Sequence, residues 1–257
     1  MSRSADAGES RSRDARQPAM DQERAVETAT RPRRRRGEAR AGLILDATET
    51  LLAERSAGDI SLADIAAAAG VPLPSVYHFF PNRNAAFVAL ALRFNEEIYR
   101  RSIEVLTDPE PRTWQELLDA KHRRAADFQN GRPAALRLFL GAGVSVAVRN
   151  ADFTGNARIA LSRARMFEAY FHMPAIPDLV AHLEIAAAAM DGIWALSYGR
   201  HGHITEPYRR EATAATVAYL RRFLPEILPR RPLDPAMLAR IAVSPDEVSG
   251  LAVPAAP

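Results

Sequence analysis

The stretch that decides the fold is residues 65–83, "IAAAAGVPLPSVYHFFPNR". Four alanines and a glycine stand directly ahead of two prolines, an aromatic cluster and an arginine. That crowding does not suit an ordinary surface turn, but it suits two short helices packed across a sharp bend. Such a bend joins its helices through about three residues and makes strict demands on them. A small residue must sit where the helices cross, and Ala66 stands there beside the apolar Ile65. The turn favours glycine because the chain must enter the left-handed region, and Gly70 follows. Val76 and Phe79 supply the apolar contacts that lock the pair. Pro72 falls at the start of the second helix and Pro74 in its first turn, where a missing N–H does least harm.

The same bend has a surface. Ser75, Tyr77 and His78 are expected to project from the short second helix, with Arg83 at the head of the next. Ser61 is a plausible N-cap for the first helix, with Asp64 three residues later at its positive end. Hydroxyls, a phenol, an arginine and a helix N-terminus are groups that grip phosphates and fix register on a nucleic acid. A helical hairpin that merely packs could use the same turn, but it would not need that set of exposed groups.

Upstream, residues 31–36 read "RPRRRR", five arginines in six positions. The run suits phosphate binding, though a GC-rich genome would enrich arginine equally. Lysine occurs only once, at Lys121. A basic arm leading into a helix-turn-helix can lie along the minor groove or the backbone, and Arg36 and Arg40 are candidates for such contacts. A solvated tail is the competing reading. Residues 1–36 hold almost no large apolar side chains and are expected to be a disordered, arginine-rich arm.

The chain has 257 residues, 47% hydrophobic and 25% charged, enough to bury a substantial core. With no cysteine, disulfides, thiolate zinc sites and cysteine nucleophiles are excluded. The polar N-terminal stretch and the lack of an unbroken apolar run of membrane-spanning length point to a soluble cytoplasmic protein with no membrane partner. Neither a phosphate-cradling glycine loop nor an HExxH pattern is present, so the sequence offers no support for an enzyme or a cofactor. His122, His172 and His182 are too dispersed for a metal site, and the "HGH" of 201–203 reads as a loop at a helix end.

Between the arm and residues 230–257 lies a block with helical patterning throughout. The first helix is expected over 38–54, then the pair at the bend, then 82–106. Thr113 with Glu116 suggests a capping box, Pro133 a first helical position, and Pro177 another, closing at Gly199 or Gly202. A segment over 152–171 precedes that helix, and Thr205 opens a last one reaching about 228. About nine helices and no repeats make the chain all-α. The expected division is a helix-turn-helix domain over 37–94, a larger helical regulatory and dimerisation domain over 95–229, and a loose proline-rich tail over 230–257 with one helical turn near "DPAMLARIA".

At 43–94 the residues resemble the N-terminal domain of the TetR/AcrR family of bacterial transcriptional regulators. The matching elements are "LILDATETLL", Ser61, "IAAAAGV", "PSVYHFF" and Arg83. The resemblance implies that Ser61 and Tyr77 contact phosphates, that Arg83 stands where the family usually has lysine, and that the helix 72–78 enters the major groove of double-stranded DNA. The "PLPS" segment leaves few hydrogen-bonding side chains to read bases; Leu73 could touch a thymine methyl and His78 a base or phosphate.

Some 125 helical residues follow, and they must dimerise, sense something, or both. One short recognition helix buries too little for specific affinity, so a homodimer on a palindromic operator is expected. The expected interface is the last two helices, through Ala186, Ala187 and Met190 and through Val217, Leu220 and Leu224. The resemblance implies the same pair. For a small-molecule effector the candidates are Phe128, Phe139, Phe167, Tyr170, Asp191 and Trp194, each of which could equally be core. Asp191 interrupts an apolar run and could meet a ligand, an arginine across the dimer, or water. The reading is a dimeric, ligand-released regulator, most simply a repressor; the alternative is a ligand-independent or architectural DNA-binding protein whose C-terminal helices only dimerise.

Overall fold

A computed structural model describes residues 17–249, with side chains described from 36 to 248. Helix α1 spans Gln17–Glu54, α2 Leu62–Ala69, α3 Leu73–Phe79 and α4 Arg83–Ser102. The body adds α5 (Trp114–Asn130), α6 (Pro133–Phe139), α7 (Val146–Tyr170), α8 (Leu179–His201) and α9 (Glu206–Leu220). Two short helices close it, α10 (Pro235–Ala239) and α11 (Pro245–Ser249). Among the described residues there is no strand, only a single bridge between Phe171 and Arg230. The all-α expectation holds; α10 falls on the helical turn expected near "DPAMLARIA", and among the described residues only α11 is added.

Several boundaries differ for identifiable reasons. The first helix begins at Gln17, not near Glu38, so its backbone is helical through the arginine run; the disorder expected for 1–36 falls otherwise on residues outside those described. Helix α4 stops at Ser102, four residues short of the expected end, and α9 stops at Leu220 ahead of Pro225. At α5, the Thr113 hydroxyl accepts the Glu116 amide at 3.1 Å as a cap should. The Glu116 carboxylate, however, takes the amide of Arg112 at 2.8 Å, so the capping box is displaced by one residue.

The interior forms two main clusters. One joins α1–α4 to α6 and to the end of α8 through Ile44, Leu52, Ile65, Val76, Phe94, Phe139 and Trp194. Arg137 of α6 donates to the carbonyls of Leu52 and Arg55, supplying partners for the open C-terminus of α1. The second cluster is built from α5, α7, α8 and α9 around Trp114, Phe167, Tyr170 and Leu220. Where α4 crosses α7, a Cβ on Gly155 would stand 2.8 Å from the Asn95 side chain, so only glycine lets the helices approach this closely without displacing Asn95. Asn95 uses that approach to donate to the Ala151 carbonyl at 2.8 Å.

The segment 230–248 is not loose. Ile241 and Val243 are almost fully buried, and the Tyr99 hydroxyl bonds both the amide and the carbonyl of Val243. Arg165 of α7 adds bonds to the Ala242 carbonyl and to Glu247. Proline frequency suggested a loose tail, but backbone rich in proline can still pack.

Four of the six expected interface residues turn inward, while Ala187 and Met190 are half-buried. Ala186, Val217, Leu220 and Leu224 are buried within the subunit. Helix α8 is apolar all round, so sequence alone could not say which side faced the core. Its outward side carries Ile185 and Leu196, both about half exposed, with Ala188, Ala189 and Gly192 between them. By length and composition alone α8 could cross a membrane; in this fold it packs on α7 and α9.

Candidate nucleic-acid interface and the cavity behind it

Helix α2 starts at a full capping box. The Ser61 hydroxyl accepts the Asp64 amide at 3.1 Å, and the Asp64 carboxylate takes the Ser61 amide at 2.8 Å. Hydrogen bonds from the Ser61 hydroxyl and amide, with Arg55 beside it, hold the Asp64 carboxyl down at about 2. At the other end Gly70 adopts φ +64°, and its amide reaches the carbonyls of Ala66 and Ala67. The Val71 amide also bonds Ala66, so the chain reverses within one residue.

The second helix of the bend follows at once. Pro72 is its N-cap, one position earlier than expected, and Pro74 lies in the first turn. Val76 is fully buried and Phe80 nearly so, with Leu73 and Phe79 packed against the same cluster. That anchoring leaves the opposite side outward: Pro72, Pro74, Tyr77 and His78 are exposed and Ser75 is half-buried. Tyr77 is 54% exposed, a large value for a phenol in the middle of an ordered helix.

The site residues gather into two groups flanking α3. Arg36 and Arg40 of α1 line a shallow groove together with Pro74, Ser75 and His78. On the other side Arg83 donates to the carbonyls of Gly58 at 2.7 Å and Ile60 at 3.1 Å, which places it next to Ser61 at the head of α2. Arg83 therefore braces the loop before α2 as well as offering charge. Hydroxyls, a phenol and guanidinium groups are thus exposed on α3 and on the segments before and after it, residue types suited to a phosphate backbone.

Behind this face α4 runs into the body, and its second half forms one wall of a partly open cavity of about 110 Å³. Ile98, Arg101 and Ser102 come from α4, and Phe128, Gln129, Lys121 and His122 from α5. Asp152, Asn156 and Arg163 come from one stripe of α7, and Met190, Asp191 and Trp194 from α8. Of the ligand candidates, Phe128, Phe139, Asp191 and Trp194 meet here. Phe167 and Tyr170 do not: Phe167 packs on Trp114, and the Tyr170 hydroxyl is tied to the backbone of Leu106.

Asp191 accepts the Asn156 amide group at 3.1 Å, and Arg149 reaches Asp152 at 3.4 Å. Burial, with Asp152 nearby, pushes Asp191 up to about 7, and burial pushes Asp152 up to about 6. Burial pulls Lys121 down to about 6 and His122 to about 3, with Arg163 adding to both. Lys121, His122, Gln129, Asp152 and Arg163 were not among the ligand candidates offered by the sequence. The one available signal was that the chain's single lysine stood among many arginines.

Residues 44–90 match the model for bacterial regulatory proteins of the tetR family. No curated protein matches the chain. Among solved structures, a TetR-family transcriptional regulator from Streptomyces coelicolor is 26% identical, with TM-score 0.53, over 72% of this chain and 98% of that one. A TetR transcriptional regulator from Rhodococcus sp. RHA1 is 20% identical, with TM-score 0.53, over 71% and 96%. SmeT, the repressor of the Stenotrophomonas maltophilia multidrug efflux pump SmeDEF, is 20% identical, with TM-score 0.52, over 72% and 91%. The capping box, the left-handed Gly70 and the exposed face of α3 all lie within residues 44–90, the segment that matches the tetR family of bacterial regulatory proteins.

Proposed function

We propose that this protein is a dimeric repressor that leaves a palindromic operator when a small molecule occupies the cavity behind α4. The observation that carries this reading is that α4 serves both sites. Its first residue, Arg83, braces the helix-turn-helix, and its last residues, Arg101 and Ser102, line the cavity. A ligand that prefers a slightly different seat for α4 would shift the recognition helix with it. Two recognition helices must span a fixed half-site spacing, so a small displacement is enough to lose affinity.

In this reading Ser61, Tyr77 and Arg83 hold phosphates, His78 faces base edges, Arg36 and Arg40 extend the contact along the backbone, and Leu73, packed against the core, takes no part in base readout. The outward side of α8, with Ile185 and Leu196 exposed across a floor of alanine and glycine, suits close packing against the same helix of a second copy. A regulator of this kind works in the cytoplasm. A mobility-shift assay on the DNA flanking its own gene is the direct test. Binding to a short palindrome with two protomers per site supports the reading; equal affinity for random DNA sinks it. Binding that no occupant of the cavity weakens would leave a DNA-binding protein without the ligand response.

A further inference from the structure

Arg163 lines the cavity, and its only polar contact among the described residues is the Met166 sulfur at 3.4 Å, a weak acceptor. No carboxylate pairs with it among those residues. Asp152, on the same stripe of α7, lies three helical turns away, about 16 Å along the axis. The acidic end and Arg163 therefore cannot neutralise each other. They also differ in what they can do alone: a carboxyl group can take up a proton, whereas a guanidinium keeps its charge at neutral pH. Asp191 and Asp152 each already have a donor, from Asn156 and Arg149. Arg163, which is half-buried, is left without a counterion among the described residues, so an anion entering the cavity would meet an unpaired guanidinium.

Two further groups on the cavity wall lack partners. Trp194 is fully buried with its indole N–H unbonded, and Gln129 is 7% exposed with its side-chain carbonyl unbonded. One is a donor and the other an acceptor, which a hydroxyl on a bound molecule could satisfy together. Phe128, Phe139 and Trp194 supply flat apolar surface around them.

We infer that the cavity takes a small hydroxylated monocarboxylate with an apolar body, its carboxylate bound by Arg163 beside Lys121 and its hydroxyl meeting Trp194 and Gln129. This rests on the reading that the cavity holds the effector. It also gives that effector a route to the DNA-binding part. Lys121 donates to the carbonyls of Ser102, at 2.9 Å, and Glu104, so a carboxylate drawing on the same amine acts on the C-terminal end of α4.

Calorimetric titration of the full-length protein without DNA tests this with 4-hydroxybenzoate, 4-hydroxybenzamide and tyramine, and with 3-hydroxybutyrate against its amide. At least one carboxylate should bind, at least tenfold more tightly than its amide and than the amine. R163M, with unchanged circular dichroism, should lose that preference. Should R163M fail to fold, the acid-to-amide ratio on the unmodified protein decides alone. An amide or amine bound as tightly as the acid, no binding by any carboxylate, or an R163M protein that keeps the preference overturns the proposal. Mobility shifts on the same preparation separate the two ideas. Operator binding without carboxylate binding defeats only this inference, and carboxylate binding without operator binding defeats the regulator reading.

Discussion

Arg93 of α4 and Glu49 of α1 meet at 2.5 Å, with both side chains about a quarter exposed. Each has a further partner: Arg93 also reaches Asp46 at 2.6 Å, and Glu49 accepts from Arg132 at 3.1 Å. Arg132 in turn holds Glu97 of α4 at 2.9 Å. These charges join α1, α4 and the start of α6, so the helix-turn-helix is fastened to the body partly by electrostatics. An isolated exposed pair contributes little, but a shared, half-buried network contributes more. Glu49→Gln should therefore destabilise the protein by about 1–2 kcal/mol at low salt. Urea unfolding should show that difference shrinking in 1 M NaCl; a salt-independent loss would point to packing instead.

Tyr77→Ala and Gly70→Ala should separate contact from conformation. The exposed phenol contributes little to folding, so Tyr77→Ala should change stability by less than about 0.5 kcal/mol. It should nevertheless weaken binding to operator and random DNA alike, as loss of a phosphate contact does. A loss confined to one base position would contradict that role. Gly70→Ala forces a Cβ into φ +64° and should cost about 1 kcal/mol in thermal or chemical unfolding.

Arg36 and Arg40 share a groove with α3 and are both exposed. Replacing both with alanine should lower the slope of log K against log salt by about 2, since each phosphate contact contributes about 0.9. Fluorescence anisotropy between 50 and 300 mM salt measures it. An unchanged slope would remove both residues from the interface.

Asp191 gives a pH signature with a definite sign. Its folded pKa, near 7, lies above the ordinary value of 3.8, so the folded state holds a proton that the unfolded state has released between those limits. Its contribution is fully present below pH 4 and is lost as pH rises through 7. Asp191→Asn keeps the acceptor for Asn156 and has nothing to titrate. Relative to the unmodified protein it should gain roughly 1–3 kcal/mol between pH 4 and pH 8. Urea midpoints across that range check this, and a gap that does not widen with pH would mean that Asp191 is ionised throughout.

The helix-turn-helix was legible because its signals are local. Ser61, Asp64, Ala66, Gly70 and Val76 fall within sixteen residues, and each acts on the backbone within a turn or two of itself. The cavity was not legible, because it depends on which faces of four helices turn toward one another. Helix α8 is apolar on every side, so Ala186 read as an interface residue when it is core. Phe167 and Tyr170 were chosen by residue type, yet rotation of α7 sends them into the lower core and brings Asp152 and Arg163 to the cavity. Phe128, Phe139, Asp191 and Trp194 do line the cavity, but the polar partners that define its chemistry were invisible until α5 and α7 were brought together.

Tyr99 anchors Val243, 144 residues further along the chain, by both of that residue's backbone groups. The helix that would relay the signal is thus clasped by the final described stretch, which acts as a restraint on how far it can swing. Protein engineers who fuse reporters beyond this point would be adjusting the stiffness of the transmission, and a biosensor built that way would change its response range without any alteration to what it detects.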